Sequence, residues 1–175
     1  MVPVSPMPRI LLATICAAVL LAIANASAND APRALNADEL IRHGRHLTVI
    51  AGCNDCHTAG FASSAGKVPE SQWLLGDSLG FAGPWGTTYP ANLRRRLATM
   101  DLATFKAYAR TLTTRPPMPY WALNAMSEHD LEALYAFTKS LGPVGEEAPA
   151  ALPPGAAASG PVVRFPEPPP QAAAR

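Results

Sequence analysis

The chain has 175 residues, and its 14 basic and 13 acidic side chains give a formal net charge of +1 at pH 7. This even balance does not favour a polyanionic partner, so nucleic-acid binding is not expected. Three cysteines in the whole chain are too few for a disulfide-rich scaffold.

The N-terminus has the features of a secretory signal peptide. An apolar run from Ile10 to Ala24 follows Arg9, and Ala26-Ser27-Ala28 supplies a cleavage site of small residues. We therefore expect residues 1–28 to be removed and the mature protein to be periplasmic. The run is shorter than the roughly 20 apolar residues that span a bilayer, so an uncleaved anchor is the second interpretation. Cys16 lies in this run and would leave with it.

Residues 29–143 carry the signals of a folded domain, and its first helix has a clear start. Asn36 can cap this helix, with Glu39 at the third helical position. Apolar or small residues then recur at helical spacing along one face, and Gly52 ends the helix. These residues are Leu40, Gly44, Leu47 and Ala51.

Directly after this helix, Cys53 and Cys56 stand three positions apart and are followed by His57. The pattern is typical of haem c attachment, in which both thiols bond the porphyrin and the histidine ligates the iron. A structural zinc site is one alternative, but it would need a fourth ligand and usually a second cysteine pair. A thioredoxin-like redox pair is another, but the flanking residues show no βαβ pattern. We predict one covalently attached haem c.

A long loop and two further helices are predicted next. Residues 59–97 contain too many glycines and prolines for a long element, and loops of this length are usually functional. A middle helix starts at Asp101 and a last helix at Ser127, each with a capping side chain. Trp85 and Tyr89 lie in the loop, where they serve either as hydrogen-bond donors to a haem propionate or as core aromatics.

Met118 is the predicted second axial ligand of the iron. Its neighbours in Pro117-Met118-Pro119 forbid a helix and hold an extended loop. Met100 and Met126 are instead placed to pack at the starts of the middle and last helices. The alternative for Met118 is an adaptable side chain that fills a gap in the core.

Residues 144–175 are rich in proline, alanine and glycine and contain few large apolar side chains. Such a segment cannot bury enough apolar surface to offset the entropy lost on ordering. We expect a flexible tail, partly in the polyproline II conformation, with docking to a partner as the alternative.

Basic and acidic side chains are segregated along the sequence. Six basic residues between Arg94 and Arg115 share their stretch with Asp101 alone, whereas five acidic residues from Glu128 to Glu147 share theirs with Lys139. This asymmetry is suited to docking on a charged partner.

Residues 35–142 resemble the monohaem class I cytochrome c domain in the Cys53 to His57 motif, the proline-flanked Met118 and the terminal helix. More narrowly, they are similar to one repeat of the cytochrome c subunits of membrane-associated alcohol, gluconate and nicotinate-type dehydrogenases. Those subunits typically carry several haem motifs, and this chain carries one. The segments that carry the narrower similarity are Gly44-Arg45-His46-Leu47, Ala51-Gly52-Cys53, Tyr89-Pro90-Ala91-Asn92-Leu93, Pro117-Met118-Pro119 and Asp130-Leu131-Glu132-Ala133-Leu134-Tyr135.

The resemblance implies an all-α protein with the class I cytochrome c fold, in which a few helices and long loops surround one haem. It also implies that the first and last helices cross at close range. Gly44 would then contact Tyr135, because a residue without a side chain lets an aromatic ring lie over the helix backbone.

These features favour a periplasmic electron carrier over an enzyme. An iron held by His57 and Met118 has no vacant site, so it would pass single electrons between a dehydrogenase or respiratory complex and an oxidase. The alternatives are haem-based catalysis or sensing with a displaceable sixth ligand, and a haem subunit of a membrane dehydrogenase complex. We expect redox proteins as partners, and contact with a membrane only through a partner or an uncleaved signal peptide.

Overall fold

The computed structural model describes residues 36–166; the predicted signal peptide and residues 167–175 lie outside this range. Of the helices in this range, none is both long and apolar enough to cross a membrane. The α-helices there are α1 (Ala37–Ile50), α2 (Cys53–His57), α3 (Leu93–Ala98), α4 (Leu102–Thr111), α5 (Tyr120–Ala125) and α6 (Glu128–Ser140). The strands are β1 (Gly80–Gly83), β2 (Gly86–Thr88) and β3 (Val162–Arg164), and a 3₁₀ helix covers Glu70–Gln72.

The prediction of an all-α protein with the class I cytochrome c fold is wrong, because the described residues include a three-stranded mixed sheet. Strands β1 and β2 form an antiparallel hairpin with Phe81 opposite Thr88. Strand β3 runs parallel to β1 on its other side, with Val163 opposite Phe81. The physical reason is that a glycine-rich stretch still carries backbone N–H and C=O groups that need partners, and short strands supply them.

The described part of the tail differs from the flexible segment that its composition indicates. The side-chain amide of Asn92 donates to the carbonyls of Val144 at 2.8 Å and Glu146 at 3.1 Å. Farther along, the Phe165 N–H donates to the carbonyl of Ala82 at 2.8 Å, next to the β1–β3 pairing. Hydrogen bonds to its backbone groups thus hold a segment that has little apolar surface to bury.

The predicted helix starts are confirmed. The Asn36 side chain accepts from the Glu39 N–H at 3.0 Å, and the Glu39 carboxylate accepts from the Asn36 N–H at 2.8 Å. Asp101 accepts from the Thr104 N–H and caps α4, and Ser127 caps α6 in the same way. These three starts depend on contacts within four residues, which is why the sequence reveals them.

Helices α1 and α6 cross at Gly44. A Cβ atom at this position would lie 1.9 Å from the carbonyl oxygen of Ala133 and 2.7 Å from Cβ of Phe137, so glycine is required. The resemblance implies Tyr135 as the partner of Gly44. The structure differs, because the atoms nearest to this position belong to Ala133 and Phe137. The Tyr135 hydroxyl donates instead to the carbonyl of Met100 at 2.9 Å.

Two apolar clusters form the core on either side of α6. The first joins α6 to α3 and α4, and the second joins it to the loop that follows α2. The first contains Leu97, Phe105, Ala109, Leu131 and Leu134. The second contains Phe61, Trp73, Leu74 and Phe137.

The charges that are segregated along the sequence come together in the fold. Basic side chains of α4 form ion pairs with acidic side chains at the start of α6. A basic side chain of α3 forms an ion pair with an acidic side chain at the start of the tail. Much of the basic stretch is therefore paired within the chain and does not present a uniform positive surface. The pairs are Lys106 with Glu128 and Glu132, Arg110 with Glu128, and Arg95 with Glu147.

Arg94 is buried, and its guanidinium donates to the carbonyls of Ser71 at 2.9 Å, Gly142 at 2.6 Å and Leu141. Because these bonds satisfy the C-terminal end of α6, Arg94→Gln should lower the free energy of unfolding by about 2 kcal/mol. Urea denaturation measures this loss. Arg42→Gln, at an exposed position of α1, is the control and should change stability by less than about 0.5 kcal/mol; equal losses would contradict the capping role.

Candidate functional site

A cavity of about 400 Å³ has a mostly apolar wall built from segments far apart in the sequence. The four residues that the sequence singles out, Cys53, Cys56, His57 and Met118, all line it. The wall also contains Phe81 and Thr88 from the hairpin, Tyr89, Pro90 and Ala91 from the loop, Leu93 and Leu97 from α3, Phe105 and Tyr108 from α4, and Leu134 from α6.

The cysteine motif forms its own short helix. Gly52 has φ +69°, the left-handed conformation, and this turns the chain from α1 into α2. Cys53, Cys56 and His57 then fall at helical positions i, i+3 and i+4, which lie on one face. This local geometry presents two sulfur atoms and one imidazole to the same cavity.

Both cysteines are free thiols. Burial raises the pKa of Cys53 to about 11, and burial also raises the pKa of Cys56. At neutral pH both groups are therefore protonated. A nucleophilic or disulfide-exchanging cysteine has the opposite requirement, a lowered pKa that yields the thiolate, so the environment disfavours the thioredoxin-like interpretation.

The imidazole of His57 is oriented by the loop on the other side of the cavity. Its Nδ1 donates to the carbonyl oxygen of Ala91 at 2.8 Å, which leaves Nε2 as the unprotonated nitrogen. Burial lowers the pKa of His57, and the bond to Ala91 only partly opposes this effect. A neutral imidazole with a carbonyl partner on its second nitrogen is the form that binds metal ions.

Met118 lies at the cavity wall in the loop between α4 and α5, directly after a turn at Pro116 and Pro117. The Thr88 hydroxyl donates to the carbonyl of Pro116 at 2.9 Å, and the Tyr120 N–H donates to the carbonyl of Met118 at 2.9 Å. Met126 also lines the cavity. The sequence predicts it only as a packing residue at the start of the last helix. The cavity therefore contains two thioethers, and Met100 is not among its lining residues.

Two arginines of the basic stretch complete the wall, and neither is among the site residues that the sequence predicts. Arg96 and Arg115 both line the cavity. Within residues 36–166, no carboxylate lies within ion-pair distance of either guanidinium, in contrast to the paired cations of α4. The only signal in the sequence was the length of the basic stretch, which does not distinguish a paired cation from an unpaired one.

The two loop aromatics occupy different places. Tyr89 lines the cavity, and Trp85 is not among the lining residues. The Trp85 ring packs edge-on against Phe165 of the tail, with centroids 5.4 Å apart. Its buried Nε1 has no hydrogen-bond partner among the described atoms.

Metal-ligating side chains do not cluster in the way that a zinc site requires. In the part of the chain that the structure describes, no three His, Cys, Asp or Glu side chains are arranged closely enough to hold a metal ion by themselves. A structural zinc site needs four such ligands. The geometry of residues 36–166 therefore gives no support to the zinc interpretation.

Comparison with known proteins finds a relative that belongs to a dehydrogenase. Over 121 residues the chain is 28% identical to a subunit of the nicotinate dehydrogenase of Pseudomonas putida. The match covers 63% of this chain and 9% of that protein, so the chain is similar to a short part of a much longer relative. No family model and no solved structure matches the chain. The chain is thus similar in sequence to part of a dehydrogenase subunit.

Proposed function

We propose that the chain binds one haem c through Cys53 and Cys56 and serves a dehydrogenase as a one-electron carrier. The observation that carries this proposal is the meeting of both thiols, the His57 imidazole and the Met118 thioether at one mostly apolar cavity. These residues come from segments more than 60 positions apart, so their convergence is a property of the fold.

The donors present fit a haem. Two protonated thiols three positions apart match the two vinyl groups of the porphyrin, and a neutral imidazole follows them directly. The apolar wall suits the porphyrin ring. Arg96 and Arg115, which have no carboxylate partner among the described residues, suit its two propionates.

The chain contributes ligation, orientation and exclusion of water. The carbonyl of Ala91 fixes the proton of His57 on Nδ1, so that Nε2 is the ligating atom. Met118 supplies a thioether from the wall of the same cavity. When bound, the haem iron supplies a one-electron couple between its ferric and ferrous states, and a methionine ligand favours the ferrous state.

Electron transfer fits the cavity better than haem catalysis or sensing. Among the described lining residues there is no carboxylate, and His57 is the one imidazole. Catalysis at a haem would require a positioned acid or base beside a vacant site. The side chains available at this wall are apolar groups, hydroxyls, thioethers and guanidinium groups instead.

The comparison supports a dehydrogenase as the electron donor, because the relative is named as a dehydrogenase subunit. One electron would leave the reduced dehydrogenase and enter this chain, and the chain would then pass it to an oxidase or another acceptor. We place this exchange in the periplasm, on the basis of the signal peptide that residues 1–28 resemble.

Mass spectrometry of the mature protein tests the covalent haem. Protein matured in a periplasm that attaches haem should carry one haem adduct that survives extraction with acid acetone. The double variant Cys53→Ala, Cys56→Ala should lose the adduct. Cys16→Ala is the matched control and should keep it, since Cys16 lies in the predicted signal peptide. A full-length protein without the adduct would refute the proposal.

Binding of carbon monoxide separates an electron carrier from a haem enzyme or sensor. In a carrier with two protein ligands on the iron, the visible spectrum of the ferrous protein should not change when carbon monoxide is added. Rapid formation of a carbon monoxide complex by the unaltered protein would show a vacant or easily displaced sixth site and would favour catalysis or sensing.

A further inference from the structure

The tail contacts the domain beside the cavity. The Leu152 N–H donates to the carbonyl of Thr87 at 2.8 Å, and the Thr87 N–H donates back to the carbonyl of Leu152 at 3.1 Å. This reciprocal pair places the tail backbone against β2, whose next residue, Thr88, lines the cavity. A segment with the composition of a linker therefore lies one residue from the cofactor wall.

A glycine in the hairpin makes room for this contact. A Cβ atom on Gly86 would lie 2.2 Å from the carbonyl oxygen of Leu152 and 2.7 Å from the carbonyl carbon of Pro153. Gly86 also has φ +94°, a conformation that side chains disfavour. The hairpin thus has the one residue type that admits the tail backbone at this distance.

The tail carbonyl holds a cavity residue in place. Arg115 Nη1 donates to the carbonyl of Leu152 at 3.0 Å and to that of Trp85 at 2.9 Å. A guanidinium has five N–H groups, and the described residues accept from this one only at Nη1. Arg115 is partly buried at the wall with donors left over.

A partly buried cation without an anion is unfavourable unless the ligand supplies the opposite charge. Guanidinium groups pair with carboxylates through two parallel hydrogen bonds. We propose that residues 144–166 are part of the cofactor site: through the carbonyl of Leu152 they position Arg115 to bind a carboxylate of the haem. This inference rests on the proposed function, and it adds to that function the tail, which positions Arg115.

The test uses the mature protein with its haem and measures the midpoint potential by redox titration at several pH values. A fixed cation near the iron favours the ferrous state, so Arg115→Gln should lower the potential. The substitution should also raise the pKa of the haem carboxylate. The pH range over which the midpoint potential changes should therefore move to higher pH. Arg42→Gln removes the same charge from an exposed position of α1 that does not line the cavity, and it should leave both readouts unchanged.

The role of the tail is tested by removing the tail or its hydrogen bond to Thr87. A chain ending at Pro143 should show the same shift as Arg115→Gln, and the two changes combined should give no further shift. A chain ending at Pro166 keeps every contact described and should match the full chain. Leu152→Pro removes the N–H that donates to the carbonyl of Thr87 and also replaces the leucine side chain, and it tests the same point if the shorter chain does not fold.

Ala150→Pro is the control for Leu152→Pro, since the Ala150 N–H makes no hydrogen bond among the described residues. An Arg115→Gln protein with unchanged potential would refute the carboxylate contact. The role of the tail would be refuted if Arg115→Gln lowers the potential while the chain ending at Pro143 and the Leu152→Pro protein keep the potential of the unaltered protein. Absence of the haem adduct from the full chain would instead refute the proposed function.

Discussion

Gly44→Ala should lower the free energy of unfolding by about 3 kcal/mol, near the upper end of the usual cost of overpacking. The added methyl group would lie 1.9 Å from the carbonyl oxygen of Ala133, which is backbone and cannot rotate away. Helices α1 and α6 would have to move apart along their whole contact. Thermal unfolding followed by circular dichroism should show a midpoint lower by roughly 10 °C.

Gly160→Ala is the matched control. A Cβ atom there would lie 3.8 Å from the carbonyl oxygen of Ser78, an ordinary contact distance. Its midpoint should stay within about 2 °C of the unaltered protein. Equal midpoints for Gly44→Ala and the unaltered protein would mean that the two helices do not cross at this residue.

Met118→Ala should lower the midpoint potential by on the order of a tenth of a volt or more, since axial ligands set haem potentials over a range of roughly 0.8 V. The physical reason is that the variant loses the thioether that favours the ferrous state. The weak near-infrared band that arises from sulfur-to-iron charge transfer should disappear as well. The ferrous variant should also bind carbon monoxide, because the sixth position becomes vacant.

Met126→Ala is the decisive comparison, because Met126 lines the same cavity. It packs against the cluster of Leu97 and Phe105, and its carbonyl accepts from Arg110. Its replacement should reduce stability while the near-infrared band and the potential are retained. If the band is lost in Met126→Ala and survives in Met118→Ala, then Met126 and not Met118 is the ligand of the iron.

The helices were predictable because their signals are local. The caps at Asn36, Asp101 and Ser127 depend on side chains that reach backbone groups three residues away. The pattern of Cys53 and His57 is equally local. It therefore predicts a site from the sequence before any tertiary contact is known.

The sheet was not predictable, because its strands are short and its decisive pairing is distant. Strands β1 and β2 have four and three residues, and glycines occupy three of these seven positions. Neither strand shows the alternation that marks a half-buried strand. Strand β3 pairs with β1 across about 80 residues of sequence, and composition alone made this region a flexible tail.

The basic residues of the site were likewise not predictable from the sequence alone. The sequence places Lys106, Arg110 and Arg115 in one basic stretch, but the fold pairs the first two with acidic residues of α6. Arg115 instead faces the cavity, where its partners are backbone carbonyls of the hairpin and the tail. Which cation is left for a ligand depends on contacts that no local pattern encodes.

The parallel pairing of β3 with β1 also sets an order of assembly. A chain exported behind the proposed signal peptide emerges from its N-terminal end, so Cys53 and His57 appear before Val162, which pairs with Gly80. A contact across so long a stretch also forms slowly, because closing the loop lowers the entropy of the chain. Until that strand arrives, the hairpin that supplies Phe81 and Thr88 to the cavity wall is held by the pairing of β1 with β2 and lacks the pairing of β1 with β3. The haem that we propose would therefore reach its ligands before the third strand fixes the hairpin side of the cavity.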